Sequence, residues 1–93
     1  MSNNELRDRI SQVVTDEDEL DKIIILEGDE FADGAIGLTG DNRIVYSYEK
    51  LVKSLAKVYG DETSAIEWIE YNTLRSLPYM ESIGNAPIII YEL

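Results

Sequence analysis

Four carboxylates, Glu27, Asp29, Glu30 and Asp33, fall within seven residues between two apolar segments. Paired carboxylates exchange protons or hold a divalent cation, and loops between strands are where such groups are presented. Glu27, Asp29 and Asp33 are thus the candidate metal ligands. The chain has no His and no Cys, which removes the usual general base, the commonest transition-metal ligand and all thiolate chemistry. No phosphate-binding loop is legible either, since Gly34 and Gly37 lack GxGxxG spacing. A hydrated connecting loop is the simpler reading. A second acidic tract, DEDELD at 16–21, invites comparison with a calcium-binding loop, which needs oxygen ligands at positions 1, 3 and 5, glycine at 6 and glutamate at 12. Counted from Asp16, position 5 is Leu20 and position 6 is Asp21. Two requirements fail, and the tract reads as a solvated helix start.

Six tyrosines in 93 residues are many for a small chain. Tyr46, Tyr48, Tyr71 and Tyr79 lie near predicted element ends, where an apolar ring with a polar tip suits either a core edge or a binding surface. The stretch EYNTLRSLPY, 70–79, combines two of them with Asn72 and Arg75. Asn72 follows Ile69 by three residues and is expected on the helix face that meets the sheet, its amide bonded to the 27–34 or the 81–86 loop. Arg75 suits a helix carboxyl terminus and can stack on Tyr71 four residues earlier. Pro78 is expected to end the helix near Arg75 or Ser76. Tyr71, Asn72, Arg75 and Tyr79, with Tyr46 and Tyr48, are the candidate residues for a ligand or a partner.

These groups must be positioned by a small set of elements. NELRDRISQVV, 4–14, predicts a helix capped by Asn3 or Asn4, with Leu6, Ile10, Val13 and Val14 on one stripe. Thr15 opens about one further turn. KIIIL, 22–26, is a short β-branched run and predicts a strand buried on both faces. EGDEFADG, 27–34, is a loop with a lone aromatic, Phe31. Two apolar arms, 35–39 and 43–47, flank residues that tolerate tight turns and predict a β-hairpin. Ile36 and Leu38 should share one face of it, and Ile44, Tyr46 and Tyr48 a face of the other arm. From Tyr48 to Tyr59 the period becomes helical, with Leu51, Leu55 and Val58 inward and Gly60 as the stop. Asp61 caps a further helix whose inward stripe is Ala65, Ile66, Ile69, Asn72, Thr73 and Leu77. Pro87 starts a last strand, 88–91, with an apolar triplet suited to the sheet interior.

The sum is one α+β domain spanning 1–93, in the order α-β-β-β-α-α-β, with a sheet of about four strands including the hairpin at 35–47 and three helices packed on it. Residues 1–21 form an acidic helical segment and 22–93 the sheet and two helices. The composition, 44% hydrophobic and 29% charged, is that of a folding domain. Charge is uneven. Residues 1–33 hold eleven acidic side chains against three basic, a balance of −8, and residues 34–93 hold eight against five, a balance of −3, for the total of −11. Such a surface repels phosphate backbones; solubility is the simpler reading of the excess, and a basic protein partner for the acidic half is the sharper one. The amino-terminal residues lack a signal-peptide core and no apolar run approaches a membrane span, so a cytoplasmic setting is expected.

The segments DGAIGLTGDNRIVYSYEKLV and AIEWIEYNTLRSLPYM, with the closing NAPIIIYEL, resemble a group of small proteins of uncharacterised activity from Gram-positive gut bacteria and their phages or mobile elements. The resemblance covers about residues 27–93, and its most specific part is IEYNTLRSLPY with the closing API. It implies a phage or mobile-element origin and no mechanism. The expected function is a non-enzymatic protein-interaction module without a cofactor, whose acidic face meets a basic partner, in one form by imitating nucleic acid. A homodimer through a strand edge or the Tyr-rich hairpin is compatible with the pattern. The alternative is a metal- or small-molecule-binding catalytic domain using the acidic 27–33 loop with Arg75.

Overall fold

The computed structural model of the protein describes residues 1–93. The expected hairpin forms: β1 (Ala35–Leu38) pairs antiparallel with β2 (Ile44–Ser47). Its turn closes through the Thr39 N–H to the Arg43 carbonyl at 2.8 Å, and Asn42 takes the left-handed conformation, φ 63°, that Asn tolerates. The register slips between Ala35 and Gly37. Ile36 is the extra residue of this bulge and stands exposed, so Ile36 and Leu38 do not share a face as alternation alone predicts.

β2 leads directly into α4 (Tyr48–Tyr59), where the Ser47 hydroxyl accepts the Lys50 N–H at 3.2 Å. Tyr48 therefore belongs to the helix and does not continue the strand face. Leu51, Val52 and Leu55 are buried, whereas Val58, expected inward, is 57% exposed on the last turn. Gly60 ends the helix at φ 95°, a conformation that a Cβ disfavours. The Asp61 carboxylate then caps α5 (Glu62–Trp68) by accepting the Ser64 N–H at 2.7 Å.

β3 (Ile88–Ile90) pairs parallel with β2 in the register Val45 to Ile88, Tyr46 to Ile89 and Ser47 to Ile90. The sheet is mixed and three-stranded, in the order β1-β2-β3. Two expectations are thereby corrected. The apolar triplet lies on the sheet edge, with Ile90 exposed, and residues 22–26 do not complete a fourth strand. They begin as one: Ile23 forms an isolated parallel bridge with Asn85, with Asn85 N–H to the Lys22 carbonyl at 2.9 Å and Ile24 N–H to the Asn85 carbonyl at 3.4 Å. The Leu26 N–H then bonds the Tyr46 hydroxyl at 3.2 Å. That bond draws the chain off the sheet and over its face.

Of two short helices, the first is the expected turn and the second is not expected. α2 (Glu17–Lys22) is capped by Asp16, not Thr15, and α3 (Asp29–Ala32) forms within the acidic stretch read as a loop. Phe31 and Ala32 on α3 are buried, and the Ser54 hydroxyl ties α3 to α4 through the Glu30 carbonyl at 2.7 Å. Four residues are too few to show a period, which is why α3 was invisible in the pattern. α1 (Asn3–Val13) is capped by the Ser2 hydroxyl, one residue before the predicted Asn. Leu6, Ile10 and Val14 are buried, but Val13 is 73% exposed.

One core results, joining α1, α3, the sheet, α4 and α5 around Tyr46, Ile44, Leu51, Leu55 and Ile69. The radius of gyration of 13.0 Å is that of a single domain of this length. No helix is long and apolar enough to cross a membrane. The Tyr46 hydroxyl makes a specific expectation: Tyr46→Phe leaves the buried Leu26 N–H without a partner. The substitution should lower unfolding free energy by about 1–3 kcal/mol, read as a shift in urea midpoint at constant slope, with faster amide exchange at Leu26.

Candidate functional site

The chain from 62 to 83 is one helical run with a wide turn in it. α5 passes into a π-helical segment, Ile69–Leu74, and then into α6 (Arg75–Ile83), which contains Pro78. The helix therefore does not stop near Arg75 or Ser76. Proline has no N–H for the Leu74 carbonyl, and its ring collides with that carbonyl in a regular α turn. The π segment ends at Leu74, so the widened turn lies where that conflict must be relieved.

The wide turn also decides which side chains face the core. A π turn holds more residues than an α turn, so Thr73, four residues on, overlies Ile69 better than Asn72 does. Ile69 and Thr73 are buried and Asn72 is exposed. The expected clasp to the 27–34 or 81–86 loop is absent. The Asn72 side-chain amide instead donates to the Trp68 carbonyl at 3.1 Å within its own helix, and the Asn72 main-chain carbonyl accepts the Ser76 hydroxyl at 2.6 Å. Arg75 is likewise mid-run, away from any helix carboxyl terminus. Its guanidinium stacks over Tyr71 at 4.8 Å, as the four-residue spacing predicted, and it makes no salt bridge.

The sequence candidates consequently separate. Asn72 and Tyr79 line a groove of about 420 Å³ between residues 24–27 and the helical run; Glu27, Thr73 and Ser76 add its polar groups, and Leu26, Phe31, Trp68, Met80 and Ile83 much of its apolar wall. Tyr71 and Arg75 pair outside that groove. Tyr46 is fully buried, which removes it from any surface. Tyr48 packs on Tyr91 with centroids 4.7 Å apart, at a different place again. The groove residues that spacing did not single out are Trp68, Phe31, Met80 and Ile83. Trp68 lies against Phe31 at 5.7 Å and Tyr59 at 5.9 Å, joining α3 and the end of α4 to the groove wall.

The acidic cluster is divided in the same way. Asp29 accepts the Asn3 N–H at 2.9 Å and Asp33 pairs with the Met1 amino group, so both anchor the start of α1. Glu27 turns to the groove. No group of three or more acidic side chains stands where it could hold a metal ion, and Arg75 pairs with none of these carboxylates. Protein-family models, curated proteins and solved structures yield no match to this chain. The groove must be read from its own chemistry.

Burial pushes the Tyr46 phenol above its ordinary pKa, against the opposing bond from Leu26, and burial also raises Tyr48, helped by Glu70 and Tyr91. The folded state thus holds protons that the unfolded chain gives up above about pH 10. Stability from both groups is complete below that pH and falls as the pH climbs through the raised values. Tyr48→Phe should flatten the alkaline fall measured by denaturant titration. Pro78→Ala restores a donor for the Leu74 carbonyl and should raise the thermal midpoint. A midpoint that stays level or drops would mean that packing of Ile69 and Thr73 alone holds the wide turn.

Proposed function

We propose that the protein is a non-enzymatic interaction module that docks a basic protein segment against the 24–27 segment and the helical run beside it. The observation that carries this reading is the apolar groove of about 420 Å³ left open on the surface of a chain with net charge −11. Interaction sites typically combine an apolar floor, aromatic side chains and a polar rim. Here Trp68, Phe31 and Met80 supply the floor, Tyr79 the exposed ring, and Glu27, Asn72 and Ser76 the rim. The π turn beneath them supports it further. Such turns interrupt regular helical bonding and occur often at functional sites, and this one swings Asn72 out of the core and toward the groove.

The charge excess favours a basic partner through steering and complementarity. A cytoplasmic setting and a phage or mobile-element origin belong to the same proposal, the second resting on the resemblance of residues 27–93. The catalytic alternative gains no support from the divided carboxylates, two of which are engaged with α1.

Selection from a displayed random-peptide library against the intact chain tests this reading. The recovered peptides should be rich in Lys and Arg with apolar side chains between, and their affinity should fall at least roughly tenfold between about 0.05 and 0.5 M salt. Tyr79→Ala should weaken them. Acidic or salt-indifferent binders, or binders unaffected at Tyr79, would sink the proposal.

A further inference from the structure

The unfinished fourth strand carries a more specific inference, which rests on the proposed docking function and names how the partner binds. Backbone groups along 22–26 divide into bonded and unbonded ones. The Lys22 carbonyl and the Ile24 N–H bond Asn85, the Leu26 N–H bonds the Tyr46 hydroxyl, and the Leu26 carbonyl accepts the Asn3 amide at 3.1 Å. The Ile23 N–H bonds the Leu20 carbonyl at 3.1 Å, whereas the carbonyls of Ile23 and Ile24 and both the N–H and the carbonyl of Ile25 meet no partner in the chain. In an extended segment successive residues direct these groups to opposite sides, so the Ile23 carbonyl with the Ile25 N–H and carbonyl forms an unpaired edge centred on Ile25.

The side chains around that edge are divided as an incoming strand requires. Ile24 and Leu26 wall the apolar groove beside the helical run. Ile23 and Ile25 wall a second groove of about 360 Å³ toward α1, whose polar residues are Asp8, Asp21, Ser11 and a single cation, Arg7. Ile25 borders both grooves, so the open edge lies between them. An added strand would place alternate side chains into an apolar and a polar groove, the arrangement used when a peptide extends an exposed sheet edge. The charge around it selects the occupant. Five carboxylates at 16–21 precede the edge and Glu27, Asp29 and Glu30 follow it. The one basic residue between them, Lys22, is paired with Glu19 at 3.4 Å.

We infer that residues 23–27 accept an extended segment of a basic partner protein, about five residues long, alternating apolar and Lys or Arg side chains and bonded to the backbone of Ile25. A second copy of this chain is disfavoured as occupant, because it brings the same two acidic tracts against their own like charge.

The test uses the intact chain, a ten-residue peptide alternating lysine and valine, and a matched peptide alternating glutamate and valine. The lysine peptide should bind and slow amide exchange at Ile25 at least roughly tenfold, while the glutamate peptide should do neither. Ile25→Ala and Ile25→Pro both remove the side chain, but only the proline removes the N–H, so Ile25→Pro should bind at least roughly tenfold more weakly than Ile25→Ala, and equal binding of the two would overturn the strand pairing. Because the Ile25 N–H is unpaired, Ile25→Pro should still give a native circular-dichroism spectrum, and if it does not, exchange at Ile25 in the unaltered chain decides alone. Lysine-peptide binding without protection of Ile25 overturns the strand pairing and leaves the basic-partner reading standing. Failure of that peptide to bind, equal binding of the glutamate peptide, or protection of Ile25 by self-association without peptide each overturns the inference as well.

Discussion

The bond between the Tyr46 hydroxyl and the Leu26 N–H governs the shape of this protein more than any other single contact. Tyr46 projects from the central strand β2 and is fully buried, so its hydroxyl must find a partner inside. The partner it finds is the backbone of a segment otherwise suited to pair with β3. Ile23 and Ile24 pair at Asn85, and two residues later Leu26 is drawn onto the core. A phenylalanine in place of Tyr46 would fill the same volume without fixing the direction of that segment. The hydroxyl therefore converts an apolar run that could have closed the sheet into the wall of a groove, and the proposed docking edge follows from it.

Much of the secondary structure was legible because its signals were local. The hairpin declared itself through Thr39-Gly40-Asp41-Asn42, α4 through its period and Gly60, and the start of α5 through Asp61. What was not legible depended on contacts distant in sequence or on elements too short to carry a period. α3 has four residues, and the departure of 23–26 from the sheet depends on a hydroxyl twenty residues away. The bulge that exposes Ile36 adds one residue to an otherwise alternating arm. Tyr46 illustrates the limit from the other side: its type suits a core edge or a binding surface, and only its place on the central strand decides.

EYNTLRSLPY shows how a correct local rule can give a wrong element. Proline does remove a helical bond, and the residue before it is disfavoured in helical geometry. Here the chain absorbs the conflict one turn earlier by widening Ile69–Leu74, and the helix continues to Ile83. The same widening rotates Asn72 off the face that the α period assigned to it. One structural event thus accounts for both mistaken expectations in the stretch, while the stacking of Arg75 on Tyr71 holds because it needs only a local turn.

An exposed strand edge is a hazard as well as a means of recognition, because any extended segment can pair with it. Proteins commonly guard such edges with charge, and the acidic tracts at 16–21 and 27–30 bracket this one on both sides. Against a second copy of the chain these tracts repel, so the edge is guarded in the homotypic encounter that is always available at high concentration. Against a basic segment the same carboxylates attract. A guard of mixed sign would hinder self-pairing less and discriminate among partners less. Concentrating one sign of charge around an apolar edge makes protection and selectivity a single property, and under the proposed docking the uneven acidity of residues 1–33 would serve both as well as solubility.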